Sequence, residues 1–259
     1  MEKSLPNEKE IYMPIKMKPL RAEGLYLGID GCRGGWIIAV YEVGNLRIEK
    51  YTSMEEILEK YPKFEDALID MVIGLPSNTT DIRPEAAARK ILKGREYTVF
   101  SVPSRQALYE ETEKKQKEAN IAALGKSLSS QTLGIIPKMR ELDQFLDKHR
   151  NYANAIQESH PEVCFSRLNG AVVMTKKKEY EGLAQRVAIL EKYLPELTVA
   201  NVKEKAKILK CNADDIVDAI VLVIAANFNS QGLCETIPEN VMEDAKGLKM
   251  QMVIPKGSL

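Results

Sequence analysis

The stretch YLGIDGCRGGWIIAVYEV, residues 26–43, decides how the fold begins. Its first apolar run ends on Asp30, a glycine-rich turn follows, and a second apolar run starts at Trp36. A Gly-Asn turn signal then leads into a run of alternating apolar and polar residues, which is typical of a hairpin. The order predicts an antiparallel meander with a carboxylate at the end of its first strand. The predicted strands are Leu25–Asp30, Trp36–Val43 and Leu46–Thr52.

Helical and apolar segments alternate along the rest of the chain. A capping signal at Ser53 predicts a helix that reaches about Lys60. The apolar run Ala67–Leu75, with Asp70 as its one charge, predicts a strand buried on both faces. This pattern indicates an α/β fold whose mixed sheet is antiparallel at one edge, parallel beyond it and flanked by helices. Helices are predicted over 84–93, 104–125, 137–149, 181–193, 199–210 and 214–227, and a short strand leading into a loop over 154–165.

The same pattern predicts the organisation into domains. Residues 1–24 are polar and contain three prolines, so we expect a peripheral extension there. Residues 25–259 are expected to form a single domain, which is interrupted by a mostly helical insertion at about 84–150.

Composition and charge exclude several classes of protein. The chain has 37 Lys and Arg residues and 37 Asp and Glu residues, so no overall positive field attracts nucleic acid. Four widely spaced cysteines without a C-x-x-C pair argue against a disulfide scaffold or a zinc ribbon. The N-terminus lacks the apolar core of a signal peptide, and no apolar run reaches the roughly 18 residues of a membrane span. We therefore expect a cytoplasmic protein with reduced thiols and no membrane partner.

Four aspartates occupy unusual positions. Asp30 ends a strand, Asp70 lies within an apolar strand, and Asp215 and Asp218 share one face of the last apolar helix. Buried carboxylates require a cation, hydrogen-bond donors or a proton, and acids that converge from separate elements are how proteins bind Mg²⁺ or Mn²⁺. Each acid also has a structural alternative. Asp215 could cap its helix, Asp30 could shape a turn, and Asp70 could pair with Arg33 or Arg89.

The segment ESHPEV contains a second group of candidates. Glu158 and His160 alternate along a predicted strand, so both face the same side if the strand stays extended. Glu158 could be a further metal ligand, and His160 a ligand or a proton shuttle. The alternative is that His160 makes a structural hydrogen bond to a neighbouring carboxylate.

Basic residues around the insertion are candidates for binding substrate phosphates. The alternative is that they lie on a solvated face, as charged residues usually do, and Lys176–Lys178 is interpreted as an exposed basic loop. The candidate phosphate ligands are Arg33, Arg83, Arg89, Arg105 and Lys138.

These motifs together resemble a known family. The blocks GIDGCRGGW, IDMVIGLP, SQTLGIIPKMRELD, ESHPEVCF and DDIVDAI are similar, in this order, to those of the domain of unknown function 429 family. Its members are described as predicted nucleases of the ribonuclease H-like fold, so the resemblance implies that fold. It also implies a carboxylate cluster, because ribonuclease H-like nucleases carry acids on the elements that hold Asp30, Asp70 and the Asp215/Asp218 pair. The spacing D-x-x-D-A also looks like the end of the Holliday-junction resolvases, which favours Asp218.

The expected function is a divalent-metal-dependent nuclease or phosphodiesterase. Asp30, Asp70, Asp215 and Asp218 would hold Mg²⁺ or Mn²⁺, and Glu158 and His160 would assist. One alternative is a protein that binds or hydrolyses nucleotide phosphates, because the actin-like ATPases share this sheet. The other is a non-catalytic binding module with structural acids. The expected partner is accordingly a nucleic acid or a nucleotide.

Overall fold

A computed structural model describes residues 18–257, and its centre is a five-stranded mixed sheet. The strand order is β3-β2-β1-β4-β5, with β1, β2 and β3 antiparallel and with β4 and β5 parallel to β1. The predicted meander and the mixed α/β class are therefore confirmed. The strands are β1 (Leu25–Cys32), β2 (Gly35–Glu42), β3 (Asn45–Tyr51), β4 (Asp66–Asp70) and β5 (Ile156–Glu158).

Helices cover both faces of this sheet, and a separate hairpin follows the last helix. The hairpin consists of β6 (Cys234–Glu243) and β7 (Lys249–Pro255). The helices are α1 (Met54–Lys60), α2 (Glu85–Ile91), α3 (Arg105–Tyr109), α4 (Glu113–Leu124), α5 (Ser130–Lys148), α6 (Pro161–Asn169), α7 (Tyr180–Leu190), α8 (Val199–Leu209) and α9 (Ala213–Ser230). None of the helices within residues 18–257 is long and apolar enough to cross a membrane.

The two faces of the sheet follow from the two-residue period of a strand. Tyr26 of β1 and Leu68 of β4 pack into the core that contains α9. Leu27 and Ile69 point the other way, into the core that contains α1 and α5. Every fully buried aliphatic side chain in these cores contributes roughly 1.5–3 kcal/mol of hydrophobic free energy. Strands buried on both faces explain why β1, β2 and β4 are nearly continuous apolar runs.

Helix α9 approaches β1 unusually closely, and Gly28 permits it. A Cβ atom at Gly28 would lie only 2.1 Å from the carbonyl oxygen of Ala219 and 2.3 Å from the backbone nitrogen of Val223. Any side chain there would push the helix away from the sheet. Since Asp218 directly precedes Ala219, the contact at Gly28 also sets how near Asp218 lies to the end of β1.

The structure corrects the predicted strand over Ala67–Leu75, which ends at Asp70. Asp70 is therefore at the strand end and partly exposed, not inside a buried strand. Beyond the strand end, carboxylates accept backbone N–H groups of the following segment. Glu158 accepts from Ile73 at 2.8 Å, and Asp244 accepts from Leu75 at 2.9 Å.

Several further elements differ from the prediction. Helix α5 begins at Ser130 and not at residue 137, which lies inside it. The predicted helix over 104–125 is two helices, because the Thr112 side chain accepts from Lys115 and caps α4. The predicted loop after β5 is helix α6, with Pro161 in its first turn, where a proline is favoured. The hairpin β6–β7 was not predicted. Of the predicted extension at residues 1–24, residues 1–17 lie outside the described part of the chain.

Candidate functional site

Three aspartates from three elements meet at one end of the sheet. Asp30 and Asp70 are directly paired residues on the neighbouring parallel strands β1 and β4, whose backbones lie about 4.8 Å apart. Asp30 shares its strand face with Tyr26, and Asp70 shares its face with Leu68, so both carboxylates point towards α9. Asp218 lies on α9 and is fully buried. Asp30, Asp70 and Asp218 are called the aspartate cluster below.

Lys177 is the cation of the aspartate cluster. Its Nζ atom donates a hydrogen bond to Oδ2 of Asp218, whereas Oδ1 of Asp218 is buried and has no hydrogen-bond partner within residues 18–257. Among the described residues, Lys177 is the one cation that is hydrogen-bonded to any of the three carboxylates. The interpretation of Lys176–Lys178 as an exposed basic loop is wrong for Lys177, which is partly buried. A buried acid in an apolar helix demands a cation, but no pattern in the sequence indicates which lysine supplies it.

The pKa values of the three aspartates are raised, because the carboxylates are buried and lie close to one another. Burial, together with the charges of Asp70 and Asp218, raises the pKa of Asp30 well above its ordinary value. Burial also raises the pKa of Asp70, although His160 and Lys177 oppose the shift. The pKa of Asp218 rises to about 7 because burial outweighs the effect of Lys177. Shifts of this kind in a cleft are typical of functional sites.

A cavity of about 560 Å³ opens beside the cluster. Asp30, Asp70 and Lys177 line it together with His160 and Lys138. His160 is held by a 3.3 Å contact between Nε2 and the carbonyl oxygen of Thr98. Its Nδ1 atom is buried and lacks a hydrogen-bond partner among the described residues. The cavity therefore has acids on one wall and positively charged or titratable groups around them.

Glu158 is placed away from the aspartate cluster, although it also borders the cavity. It pairs in register with Ile69, which faces α5, so its side chain points to the opposite sheet face from Asp30 and Asp70. There it forms a buried ion pair with Arg83 at 2.8 Å, and Arg83 also binds Glu85. Burial raises the pKa of Glu158 to about 7 despite Arg83. The expectation that Glu158 and His160 share one side does not hold, because β5 ends at Glu158.

Asp215 has the capping role that was its structural alternative. Its side chain accepts from the backbone N–H of Asn212 at 2.9 Å and completes a capping box at the start of α9. Burial raises its pKa, and the hydrogen bonds from Asn212 oppose the rise. Asp215 also lines the cavity, so it lies near the cluster but is already partnered.

Most of the candidate phosphate ligands make internal contacts. Arg83 binds Glu158, and Arg89 donates to the carbonyl oxygen of Val99 at 2.8 Å. Arg105 bridges two aspartates outside the aspartate cluster. Lys138 lines the cavity, with Nζ donating to the Gly35 carbonyl oxygen at 2.6 Å, and Arg33 is exposed. No ion pair within residues 18–257 joins Asp70 to Arg33 or to Arg89.

The side chains are not already arranged as a metal site. Within residues 18–257, no group of three or more His, Cys, Asp or Glu side chains could hold a metal ion as they stand. The donor set nevertheless fits a hard divalent cation in its chemistry, because it consists of carboxylate oxygens. The partnerless Oδ1 of Asp218 is one such oxygen.

Comparison with known proteins identifies the family of the chain. The model of the family described as protein of unknown function (DUF429) matches residues 28–243. The chain belongs to this family. The matched region includes all three members of the aspartate cluster, Lys177 and His160, and it ends within β6. Neither the curated proteins nor the solved structures gave a match.

Proposed function

We propose that this DUF429 protein is a divalent-metal-dependent phosphodiesterase of the nuclease type. One observation carries the proposal. Asp30 of β1 and Asp70 of β4 line the cavity, and Asp218 of α9 is buried beside them with Lys177 bound to its Oδ2 atom. Within residues 18–257, the buried Oδ1 atom of Asp218 has no hydrogen-bond partner. Uncompensated acids of this kind are costly to bury. A bound cation would compensate them.

Asp30 and Asp70 are the residues that would hold Mg²⁺ or Mn²⁺, and Asp218 would contribute its free oxygen. When bound, the ion supplies activation of a water molecule and neutralisation of charge on the phosphate. Lys177 neutralises part of the charge of Asp218 and keeps that carboxylate close to the sheet. His160 lines the same cavity, and its side chain is the one that we propose to accept or donate a proton there.

The order of elements supports a ribonuclease H-like assignment. An antiparallel meander is followed by a helix and then by parallel strands, which is the order that the resemblance implies. The acids lie on the first strand, the fourth strand and the final helix. The positions of these three acids thus agree with both the fold assignment and the proposed nuclease activity.

Hydrolysis or binding of a nucleotide is a second candidate, and the shape of the cavity favours it. A volume of about 560 Å³ lies within the range of small-molecule sites. Lys138 and Lys177 would then face the phosphates of a single nucleotide. ATP hydrolysis without cleavage of any oligonucleotide would select this candidate over the nuclease.

Calorimetric titration of Mn²⁺ tests the metal site directly. The proteins compared are the wild type, the double variant Asp30→Asn/Asp218→Asn and the single variant Asp66→Asn. Asp66 is a matched control because it is a buried acid on the same strand and face as Asp70, but at the opposite end. We expect binding to wild type and to Asp66→Asn and none to the double variant. Absent binding, or equal binding to all three folded proteins, would overturn the proposal.

Cleavage assays with Mg²⁺ or Mn²⁺ complete the test. Labelled single-stranded and double-stranded oligonucleotides are incubated with wild type and with Asp70→Asn. Loss of a metal ligand is expected to lower the rate by about 10³-fold, a magnitude similar to removal of one transition-state contact. Cleavage that persists unchanged in Asp70→Asn, or in the presence of a chelator, would contradict a metal-dependent mechanism at this site.

A further inference from the structure

Two exposed aromatic residues form a ridge at the mouth of the cavity. Tyr97 is 64% exposed and Phe100 is 37% exposed. Both line the cavity that contains the aspartates, and both also line a second hollow of about 420 Å³. Tyr97 and Phe100, called the aromatic ridge below, therefore separate two adjoining concave surfaces.

The backbone beneath the ridge is fixed from several sides. Arg89 of α2 donates to the carbonyl oxygen of Val99 at 2.8 Å, and the Thr132 hydroxyl of α5 donates to that of Ser101 at 2.8 Å. Arg95 donates to the carbonyl oxygens of Met174 and Thr175 at 2.8 and 2.9 Å. The segment is thus held firmly, and it nevertheless leaves two large aromatic side chains exposed to solvent. Exposed apolar surface in a fixed position is typical of a binding site.

Positive charge lies on the same rim. Lys176 and Lys178 are exposed and line the cavity with the ridge. Lys176 makes only a 3.5 Å surface pair with Glu179, and Lys178 has no carboxylate partner in the described part of the chain. Arg89 lines the second hollow. Besides the aspartates, the acids that border these surfaces are Glu85, Glu96, Glu158 and Glu162. Arg83 pairs with Glu85 and Glu158, and Arg186 pairs with Glu162.

Flat rings beside exposed lysines match one class of ligand best. Single-stranded nucleic acid presents unpaired bases that stack on aromatic rings and phosphates that attract cations. In a duplex the faces of the bases are already stacked on one another, so a protruding ring has no base to contact. Arg95 adds a cation next to Tyr97, with its guanidinium 5.4 Å from the ring centroid.

We propose that the aromatic ridge stacks on unpaired bases of a single-stranded nucleic acid, whose phosphates contact Lys176 and Lys178. A strand crossing the ridge would enter the second hollow on one side and reach the aspartates on the other. The proposal rests on the proposed function only for the location of the reacting phosphate. Binding itself requires no metal and no cleavage.

Fluorescence anisotropy without divalent ions tests the proposal. The probes are a labelled 12-nucleotide single strand, a hairpin duplex with the same number of phosphates, an abasic strand of the same length and a mononucleotide. We expect the single strand to bind most tightly. The variant Tyr97→Ala/Phe100→Ala should weaken its binding by at least about 10-fold, since each ring that is removed takes away a stacking surface for one base. Binding of the abasic strand should not change in this variant.

Three further variants serve as controls. Tyr97→Phe/Phe100→Tyr keeps both rings and should bind like wild type. Tyr180→Ala removes a tyrosine that is 68% exposed but does not line the cavity, and it should have no effect. Lys176→Ala/Lys178→Ala should weaken binding of the single strand and the abasic strand equally, with a smaller salt dependence.

The outcomes distinguish this proposal from the proposed function. Equal binding of duplex and single strand, unchanged binding in Tyr97→Ala/Phe100→Ala, or equally tight binding of the mononucleotide would overturn the ridge proposal. Metal binding and cleavage at the aspartates could still stand. Conversely, ridge-dependent binding without any Mn²⁺ binding would support the ridge and reject the metal-dependent phosphodiesterase.

Discussion

Two groups of buried acids in this protein have similar charge but very different surroundings. One is the aspartate cluster, and the other is formed by Asp143 of α5 and Asp244, which follows β6. Asp143 accepts hydrogen bonds from Tyr109, from Arg105 at 3.1 Å and from Lys246 at 2.9 Å. Asp244 binds Arg105 and accepts three backbone N–H groups, those of Leu75, Lys246 and Leu248.

The pKa values respond in opposite directions. Burial alone would raise the pKa of Asp143, but the hydrogen bonds from Tyr109, Lys246 and Arg105 outweigh it and lower the pKa. In the aspartate cluster no comparable set of donors exists within residues 18–257, and all three pKa values rise. Acids whose partners are complete hold loops together. Acids whose partners are incomplete are those to which the proposed cation would bind, and this difference separates the two sites.

The largest expected effect concerns the cations of the two groups. Arg105→Met should lower the free energy of unfolding by about 3–5 kcal/mol, because Asp244 loses the one cation that pairs with it among residues 18–257 while it stays buried. Lys177→Met should cost less than half as much, because the acids around Lys177 already have raised pKa values and can take up protons. Urea denaturation at pH 7 without divalent ions measures both. An equal or larger loss for Lys177→Met would mean that Lys177 has mainly a structural role.

A smaller effect is expected at Asp66, an acid whose partner is a neutral amide. Asn229 donates to it at 2.6 Å, yet burial raises its pKa to about 6. The folded protein therefore binds this proton more tightly than the unfolded chain, and stability falls as pH rises from about 4 to about 6. The loss is on the order of 2–3 kcal/mol.

Thermal denaturation of Asp66→Asn between pH 4 and pH 7 tests the sign of this dependence. The variant should lose less stability than wild type over that interval, because it has no proton to release. A wild-type protein that gains stability between pH 4 and pH 6, with the same slope in the variant, would contradict the raised pKa of Asp66.

The smallest expected effect is on metal affinity. Lys177→Met removes the ammonium group that competes with a cation for Asp218, so Mn²⁺ should bind about tenfold more tightly, or about 1.4 kcal/mol. Lys178→Met is the matched control, because Lys178 is adjacent in sequence but is exposed and makes no ion pair with the cluster within the described residues. Calorimetry measures both affinities. Weaker binding to Lys177→Met than to Lys178→Met would show that the lysine supports the metal site.

Much of the fold was predictable because local patterns specify it. The alternating and continuous apolar runs located β1, β2 and β3, and the Ser53 cap located the start of α1. The end of β4 was not predictable, because the segment that follows it is bound by Glu158 and Asp244, which lie far along the chain. The hairpin β6–β7 was missed. Its strands are held by pairing with each other across a turn.

The candidate site also has some features that local sequence patterns specify and others that depend on distant contacts. The amino-acid sequence by itself determined which elements carry Asp30, Asp70 and Asp218, because each acid interrupts an apolar pattern that has a defined period. Only the tertiary structure decided what those acids contact. Strand register turned Glu158 to the opposite face, and the approach of α9 at Gly28 set the position of Asp218. Lys177 entered the cluster from a distant loop, since a buried charge requires a partner in space but not at any fixed distance in sequence.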